Sequence, residues 1–318
     1  MDKQGDKPAD RLTEQALLLG PRKSLVGVIT QAAAAARRPD APFVVILNAG
    51  IIHRVGPNRM NVTLARVLAA HGFSVLRFDL SGLGDSEMRA DGLAPLEASL
   101  ADIREVLDML QATRNVHRVV LVGLCSGADH SVVYAGTDPR VAGVVLLDPS
   151  IPHTLGYYLR HYSRRVLSLR TWLSVVSGAH PVWLALKRRS ALVPAEQDPE
   201  TRRPAVDDPR ARAFLQNAYG SALNSGVQFL AVLTADVESR HNHREQLLNA
   251  FPALDFGPQL RLEYYEESDH TFTSEANRAR VIGLIDEWML NTAFAQAARA
   301  APPDRITTTP EDSLHGHA

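Results

Sequence analysis

One stretch of the sequence combines a reactive side chain with the turn residues that would expose it. Residues 119–128 read Val-Val-Leu-Val-Gly-Leu-Cys-Ser-Gly-Ala, an apolar run followed by Gly-x-Cys-x-Gly. The apolar run predicts a buried strand, and the small residues after it predict a sharp turn into a helix. A strand–turn–helix of this kind presents a nucleophile at its tip, usually within the pattern Gly-x-Ser-x-Gly.

The spacing of small residues identifies the nucleophile. The positions two before and two after it must be small, because the strained backbone brings neighbouring turns close together. Cys125 is flanked in this way by Gly123 and Gly127, whereas a turn centred on Ser126 would place Leu124 where its side chain clashes. We therefore predict that Cys125, the single cysteine of the sequence, is the nucleophile.

A nucleophile of this type needs a base and a carboxylate that orients the base. His270 follows directly after the last predicted strand, 260–265, and we expect it to be the base. The carboxylate is expected after the preceding strand, 227–233, where Asp236 comes first and Glu238 second. We favour Asp236, with Glu238 as the alternative, to hold the imidazole in the tautomer that accepts the thiol proton.

Acyl transfer also requires hydrogen-bond donors for the developing oxyanion. One donor is expected to be the backbone N–H of Ser126, the residue after the nucleophile. The other is expected from the loop after strand 42–47, where Gly50 allows a close approach and Ile51 supplies the N–H. Ser126 also begins a helix, whose positive end favours a thiolate at Cys125.

Five residues are predicted to contact the substrate: Gly50, His53, Arg54, Tyr157 and Trp172. His53 and Arg54 either bind a substrate anion or brace the oxyanion loop, and the sequence leaves both possibilities open. Residues 151–205 hold nine Arg or Lys against three Asp or Glu, beside apolar residues that include Tyr157 and Trp172. This segment predicts either a site for an apolar chain on a charged carrier or a solvated basic helix packed on the core.

Strands alternate with helices along most of the chain, which predicts parallel βαβ units in a doubly wound α/β sheet. Such a sheet places its reactive loops at the carboxyl ends of the strands. Residues 13–30 predict an antiparallel hairpin at the sheet edge, because Gly20-Pro21 separates two apolar runs. We predict a disordered N-terminus over residues 1–10 and a disordered tail over residues 299–318. The core is predicted in two parts, residues 11–150 and 226–298, with a helical lid inserted between them over residues 151–225.

Composition excludes several other classes of protein. The formal net charge of −1 gives no sign of bulk nucleic-acid binding. A single cysteine excludes an internal disulfide and any cysteine-based metal motif, and we predict neither a metal nor a cofactor. The N-terminus is polar, unlike a signal peptide, and no apolar run reaches the ~18 residues of a transmembrane span. We expect the protein to be in the cytoplasm, where a single thiol stays reduced.

Nearly the whole core resembles the α/β-hydrolase superfamily. Four segments more narrowly resemble the exosortase A system-associated hydrolases of bacteria: residues 48–59, 78–86, 123–127 and 269–273. The superfamily resemblance implies Cys125, His270 and Asp236 as a triad, with Ile51 and Ser126 as oxyanion donors. Cysteine in place of serine also occurs in dienelactone hydrolases and in polyhydroxyalkanoate synthases, and the latter transfer acyl groups.

These observations predict an enzyme that forms an acyl-enzyme on Cys125 from an ester or thioester, carrier-linked substrates included. The acyl group would pass to water or to an acceptor, as in a thioesterase, an esterase or an acyltransferase. The alternative is a non-catalytic accessory protein that keeps the fold and binds an acylated partner. The sequence leaves the acyl group, the acceptor and the oligomeric state open.

Overall fold

An eight-stranded sheet forms the centre of the molecule, with the strand order β1-β2-β4-β3-β5-β6-β7-β8. The computed structural model describes residues 12–38, 40–166, 207–235 and 241–292. The strands are β1 Thr13–Leu19, β2 Leu25–Gln31, β3 Phe43–Ile46, β4 Val75–Phe78, β5 Val119–Leu124, β6 Val141–Leu147, β7 Gln228–Thr234 and β8 Leu260–Tyr265. The predicted disordered segments, 1–10 and 299–318, lie outside the described residues.

Helices connect the strands and cover both faces of the sheet. They are α1 Met60–Ala70, α2 Pro95–Arg114, α3 Ser126–Ala135, α4 Leu155–Val166, α5 Pro209–Asn224, α6 Gln246–Ala250 and α7 Glu275–Asn291. Helix α2 begins with proline, which lacks the N–H that a first turn leaves unpaired. None of the described helices is both long and apolar enough to cross a membrane.

The sheet is parallel except at one edge. Strands β1 and β2 form an antiparallel hairpin, as predicted, and β2 pairs antiparallel with β4. Strands β3 to β8 pair in parallel, which confirms the predicted doubly wound, mostly parallel sheet. Strand β5 is apolar throughout because its alternate residues enter two different cores: Val119 and Leu121 one, Val120 and Val122 the other.

The segment predicted to be a lid contains a helix of the core. Helix α5 packs on α3 and buries Tyr219, whose ring lies 5.2 Å from that of Phe251. Parallel strands need a crossover, usually helical, and α5 serves as that crossover between β6 and β7. At the base of the remaining insertion, His153 Nδ1 lies 2.8 Å from an Asp207 carboxylate oxygen. Residues 167–206, with Trp172, lie outside the described residues.

The turn from β5 into α3 brings backbone segments into close contact at two glycines. A Cβ built on Gly123 would lie 2.0 Å from the carbonyl carbon of Gly127, and one built on Gly127 would lie 2.5 Å from the carbonyl oxygen of Asn48. These neighbours are backbone atoms, so no side-chain rotation relieves the overlap. The structure thus agrees with the requirement for small residues on both sides of Cys125.

Replacement of Gly123 by alanine should therefore destabilise the fold. We expect Gly123→Ala to lower the free energy of unfolding by about 3 kcal/mol or more, because the new methyl overlaps fixed backbone. The matched control is Gly283→Ala, since Gly283 lies exposed within α7 with no atom within 4 Å of its added Cβ. That control should gain about 1 kcal/mol from better helix propensity. Urea unfolding measures both, and a wild-type midpoint for Gly123→Ala would contradict the contact.

Candidate active site

Cys125 occupies the one-residue turn between β5 and α3 in a backbone conformation that non-glycine residues rarely adopt. Its φ is 56° and its ψ is −120°. The conformation is held by backbone hydrogen bonds: its N–H donates to Leu147 at 2.9 Å, and its carbonyl accepts from Ala128 and Asp129. Strain of this kind persists where surrounding structure enforces it, and it concentrates at functional sites. The thiol is only partly buried, so it is accessible at the carboxyl edge of the sheet.

His270 links the thiol to a buried carboxylate. Its Nδ1 lies 2.8 Å from Oδ2 of Asp148, and the ring also hydrogen-bonds the side chain of Cys125. Because Nδ1 is engaged by the carboxylate, the sulfur contact uses Nε2. The Asp148 bond first and the Cys125 bond second raise the pKa of His270 to about 9, against the opposing effect of burial. An imidazolium therefore faces the sulfur at neutral pH and favours a thiolate there.

Asp148 directly follows β6 and is fully buried. The N–H of Thr234 donates to its Oδ1 and the hydroxyl of Thr234 donates to its Oδ2, each at 2.6 Å. The Nδ1 atom of buried His241 lies 3.6 Å from its Oδ1. A buried carboxylate is stabilised in its charged form by such bonds. The residues around Asp148 therefore fix its orientation toward His270.

The carboxylate bonded to His270 differs from the one predicted. The sequence favoured Asp236, with Glu238 as the alternative, both of which lie outside the described residues. Asp148 instead occupies Nδ1 of His270, and β6 and β7 are neighbours in the sheet. A carboxylate after either strand can therefore reach the loop that follows β8. The sequence contained one indication of this role for Asp148, which follows a buried strand at the same edge of the sheet as Cys125.

The predicted oxyanion region lies against the start of α3. The N–H of Ser126 belongs to the first helical turn, where helix geometry provides no acceptor. The hydroxyl of Ser126 accepts a 2.8 Å hydrogen bond from the N–H of Gly50. Gly50 adopts a φ of +55°, and Ile51 next to it exposes 89% of its surface. The loop that carries Ile51 is thus tied to the residue after the nucleophile, and the donor role of Ile51 stays a prediction.

Of the two roles left open for His53 and Arg54, the structure favours bracing. The Arg54 guanidinium bonds the carboxylate of buried Asp79 and lies 2.8 Å from that of Asp85. His53 Nε2 lies 3.4 Å from Asp85. Asp79 also accepts from the backbone N–H of Arg54 at 2.6 Å and from the amide of Asn48 at 2.9 Å. These carboxylates therefore hold the oxyanion loop.

His53, Asp79 and Asp85 also form the one cluster of metal-ligand type in the described part of the chain, with ligand atoms within 4.8 Å of one another. Arg54 already pairs with both carboxylates. A cation bound there would compete with the guanidinium for the same oxygens. The arrangement thus fits an ion-pair network around buried Asp79 better than a metal site.

Tyr157, predicted to contact the substrate, exposes only 4% of its surface. Its ring stacks on His153 at 4.0 Å between centroids, and its carbonyl accepts from Asn242. Among the described side chains of α4, those of Leu155, Tyr158 and Leu159 are exposed instead. Tyr157 therefore anchors the helix rather than offering surface to a ligand.

The bond between His270 and Asp148 predicts how fast Cys125 reacts with iodoacetamide. In Asp148→Asn the pKa of His270 should fall from about 9 toward its ordinary ~6.5. Because a raised histidine pKa keeps the imidazolium below that pKa, the wild-type pair persists across neutral pH and is lost above about 9. At pH 7 the Cys125 thiol of the variant should lose most of the help of the imidazolium and ionise closer to its ordinary pKa of ~8.5, so alkylation should slow about tenfold.

The measurement is the pH–rate profile of alkylation from pH 5 to 10, followed by intact mass. Asp236→Asn is the matched control, since it removes the carboxylate that the sequence favoured. The arrangement seen here predicts a wild-type profile for that control. Slow alkylation of the Asp236→Asn variant, together with wild-type alkylation of the Asp148→Asn variant, would restore the sequence-based assignment.

Comparisons with known proteins agree with this fold. The family described as serine aminopeptidase, S33, matches residues 41–238, more than half of the chain. No curated protein matches the sequence. The proline iminopeptidase of Mycobacterium smegmatis is similar in structure, with a TM-score of 0.54 and 14% identity over 90% of this chain and 100% of that one.

Two further solved structures are similar to the same extent. Est1E from Butyrivibrio proteoclasticus has a TM-score of 0.53 and 16% identity, over 86% of this chain and 97% of that one. The esterase domain of a Rhodothermus marinus protein has a TM-score of 0.50 and 16% identity, over 87% and 97%. At these identities the structures show a shared fold. With the family match, they establish that the chain belongs to the serine aminopeptidase, S33, family and is a hydrolase with the α/β-hydrolase fold.

Proposed function

We propose that this hydrolase forms an acyl-enzyme on Cys125 from an ester or a thioester. The proposal is carried by the hydrogen-bonded series Cys125, His270 and Asp148, with the nucleophile on a strained turn. The matched family is of the serine type, and cysteine here occupies the position that serine would take. Asp148, in place of Asp236, is the proposed orienting carboxylate.

The first half-reaction forms a thioester. The thiolate of Cys125 attacks the substrate carbonyl carbon, a C–S bond forms, and the carbonyl π electrons move to oxygen. The N–H groups of Ser126 and Ile51 are the proposed donors to that oxyanion. When the oxyanion collapses, the bond to the leaving alcohol or thiol breaks, and the leaving group takes the proton from the imidazolium of His270.

The second half-reaction returns the free thiolate. Neutral His270 accepts a proton from water or from another acceptor, whose oxygen, nitrogen or sulfur attacks the acyl carbon. The C–S bond then breaks and Cys125 leaves as a thiolate beside the renewed imidazolium. Release of a free acid makes the protein an esterase or thioesterase, whereas transfer to an acceptor makes it an acyltransferase.

The charge of the inserted segment bears on the substrate class. Residues 151–205 hold nine basic and three acidic residues in a chain of net charge −1. A carrier with phosphate or carboxylate groups would be attracted to such a segment, so carrier-linked acyl groups belong among the proposed substrates. The resemblance to exosortase A system-associated hydrolases and the cytoplasmic location stay predictions.

The acyl-enzyme can be tested by intact mass after brief mixing with 4-nitrophenyl esters and acyl thioesters of increasing chain length. We expect a mass increase equal to the acyl group, located at Cys125 and removed by hydroxylamine. Cys125→Ala should remain folded, because cysteine packs as a small apolar residue, and it should gain no acyl mass. Turnover by Cys125→Ala at the wild-type rate would refute the proposal.

The same esters and thioesters, used as acyl donors in the presence of amines, alcohols and thiols, distinguish hydrolysis from acyl transfer. A thioester on Cys125 keeps more of the acyl group's reactivity than an oxygen ester on serine. Cys125→Ser should therefore retain some hydrolysis and lose transfer disproportionately. If wild type and Cys125→Ser both release only free acid across the panel, the protein is a hydrolase without transferase activity.

Ser126 is proposed to position the oxyanion loop through its side chain as well as to donate from its backbone. Its hydroxyl is the partner of the Gly50 N–H, one residue before the predicted donor Ile51. Without that bond, the loop loses a link between the end of β3 and the start of α3. Misplacement of one oxyanion donor costs about 10²-fold or more in kcat, so loosening of the loop should cost somewhat less.

We expect Ser126→Ala to lower kcat for ester hydrolysis about tenfold to a hundredfold with little change in KM. Ser126→Thr, which keeps the hydroxyl, should recover most of the loss. Alkylation by iodoacetamide forms no oxyanion, so both variants should alkylate at the wild-type rate. Parallel losses in hydrolysis and alkylation would indicate general damage to the turn and would contradict the positioning role.

A further inference from the structure

A cavity lies at the amino ends of the central strands, whereas Cys125 lies at their carboxyl ends. It has a volume of about 560 Å³ and is bounded by residues that precede β3, β4 and β5. The six residues of β5 separate it from the thiol, a distance of about 20 Å at ~3.3 Å per residue. Its volume falls in the range of about 300–1,000 Å³ that is usual for small-molecule sites.

Four arginines line this cavity: Arg37 and Arg38 from the segment after β2, Arg114 at the end of α2, and Arg118 before β5. One described carboxylate, that of Asp40, shares the lining. The arginine side chains thus contribute four positive charges against one negative charge. The chain as a whole has a net charge of −1, so the positive charge is concentrated locally.

In the described part of the chain, these four guanidinium groups form no ion pair with a carboxylate. Seven arginines elsewhere in the described chain pair with carboxylates: Arg22, Arg54, Arg66, Arg77, Arg89, Arg140 and Arg261. Within residues 12–38, 40–166, 207–235 and 241–292, no carboxylate oxygen lies within 4.0 Å of the cavity arginines. Arg38 is held in place by Phe73, whose ring centroid lies 5.5 Å from its guanidinium carbon.

Interaction of arginines with the negative end of a helix dipole explains only part of this positive charge. Arg114 lies in the last turn of α2, where a cation offsets the negative end of the helix dipole. Arg37, Arg38 and Arg118 lie outside the helices. An arginine fork binds phosphate oxygens in pairs, and two segments each bring two such forks to one cavity.

We propose that this cavity binds a diphosphate group, free as pyrophosphate or carried by a small organic molecule such as a nucleoside diphosphate. Two linked phosphates carry enough negative charge for four arginines, whereas a single phosphate does not. Asp40 is exposed, so its carboxylate can remain in water when the ligand is bound. The site is separate from the proposed acyl-transfer site and does not depend on that chemistry.

Isothermal titration calorimetry of the full-length protein in low salt tests the proposal with inorganic phosphate, pyrophosphate and ADP. We expect saturable 1:1 binding of pyrophosphate and ADP, with inorganic phosphate at least tenfold weaker. Tighter binding of ADP than of pyrophosphate identifies an organic diphosphate as the ligand, and equal binding identifies the inorganic group. Cys125→Ala should bind as wild type does, which separates this site from the nucleophile.

Two double variants remove charge from each segment: Arg114→Gln with Arg118→Gln, and Arg37→Gln with Arg38→Gln. Each should weaken pyrophosphate binding about a hundredfold, at about tenfold for each charged hydrogen-bond donor removed. Arg104→Gln is the matched control, because Arg104 is exposed on α2 and does not line the cavity. It should bind as wild type does.

Two binding results would overturn the proposal: the absence of saturable binding at millimolar pyrophosphate, and an equal loss of pyrophosphate affinity in Arg104→Gln. If one double variant fails to fold, judged by circular dichroism, the other still tests the site because it lies on a separate segment. Variants that lower Tm without altering pyrophosphate affinity would assign the arginines to stability alone.

Discussion

The contact between Gly123 and Gly127 is the constraint on which the site depends. A Cβ on Gly123 would lie only 2.0 Å from the backbone of Gly127. Because neither residue has a Cβ, their backbones can pass this closely and the chain reverses within one residue. That reversal places Cys125 at a φ of 56° and leaves its side chain at the strand tip. It also starts α3 directly after the nucleophile, so first-turn N–H groups lie beside the sulfur. Accessibility, strain and favourable electrostatics thus arise from the same pair of small residues.

The rest of the site follows from the order of the strands. Strands β5, β6, β7 and β8 are consecutive neighbours in the sheet, and their carboxyl ends carry, in that order, Cys125, Asp148, Thr234 and His270. Thr234, at the end of β7, donates twice to Asp148, and Asp148 accepts from His270 at the next loop. Neighbouring strand ends lie about 5 Å apart, so short side chains suffice to connect them. The geometry therefore needs no long or mobile residue.

This arrangement explains which features the sequence could predict. Buried parallel strands are continuous apolar runs, and so the strands, the edge hairpin and the frame of the cysteine turn were all predictable from local pattern. The orienting carboxylate was not, because β6 and β7 end side by side and a single sequence does not show which loop turns its acid toward His270. The crossover helix α5 was assigned to the lid for a similar reason. Its buried face, with Tyr219, becomes evident only when the helix is packed against α3.

If Cys125 is acylated as proposed, the pKa of His270 changes during the reaction. In the resting enzyme both Asp148 and Cys125 raise the pKa of His270, to about 9, which suits an imidazolium that protonates a leaving group. Acylation removes the thiolate, and with it one of the two causes of that raised pKa. In the proposed acyl-enzyme the pKa of His270 is therefore expected to be lower than in the resting state, with the Asp148 bond still raising it, and a lower pKa makes neutral His270 easier to form. Under the proposed mechanism, the covalent intermediate thus helps His270 change from the acid of the first half-reaction to the base of the second. Whichever acceptor reaches the thioester at that moment, water or another nucleophile, determines the product.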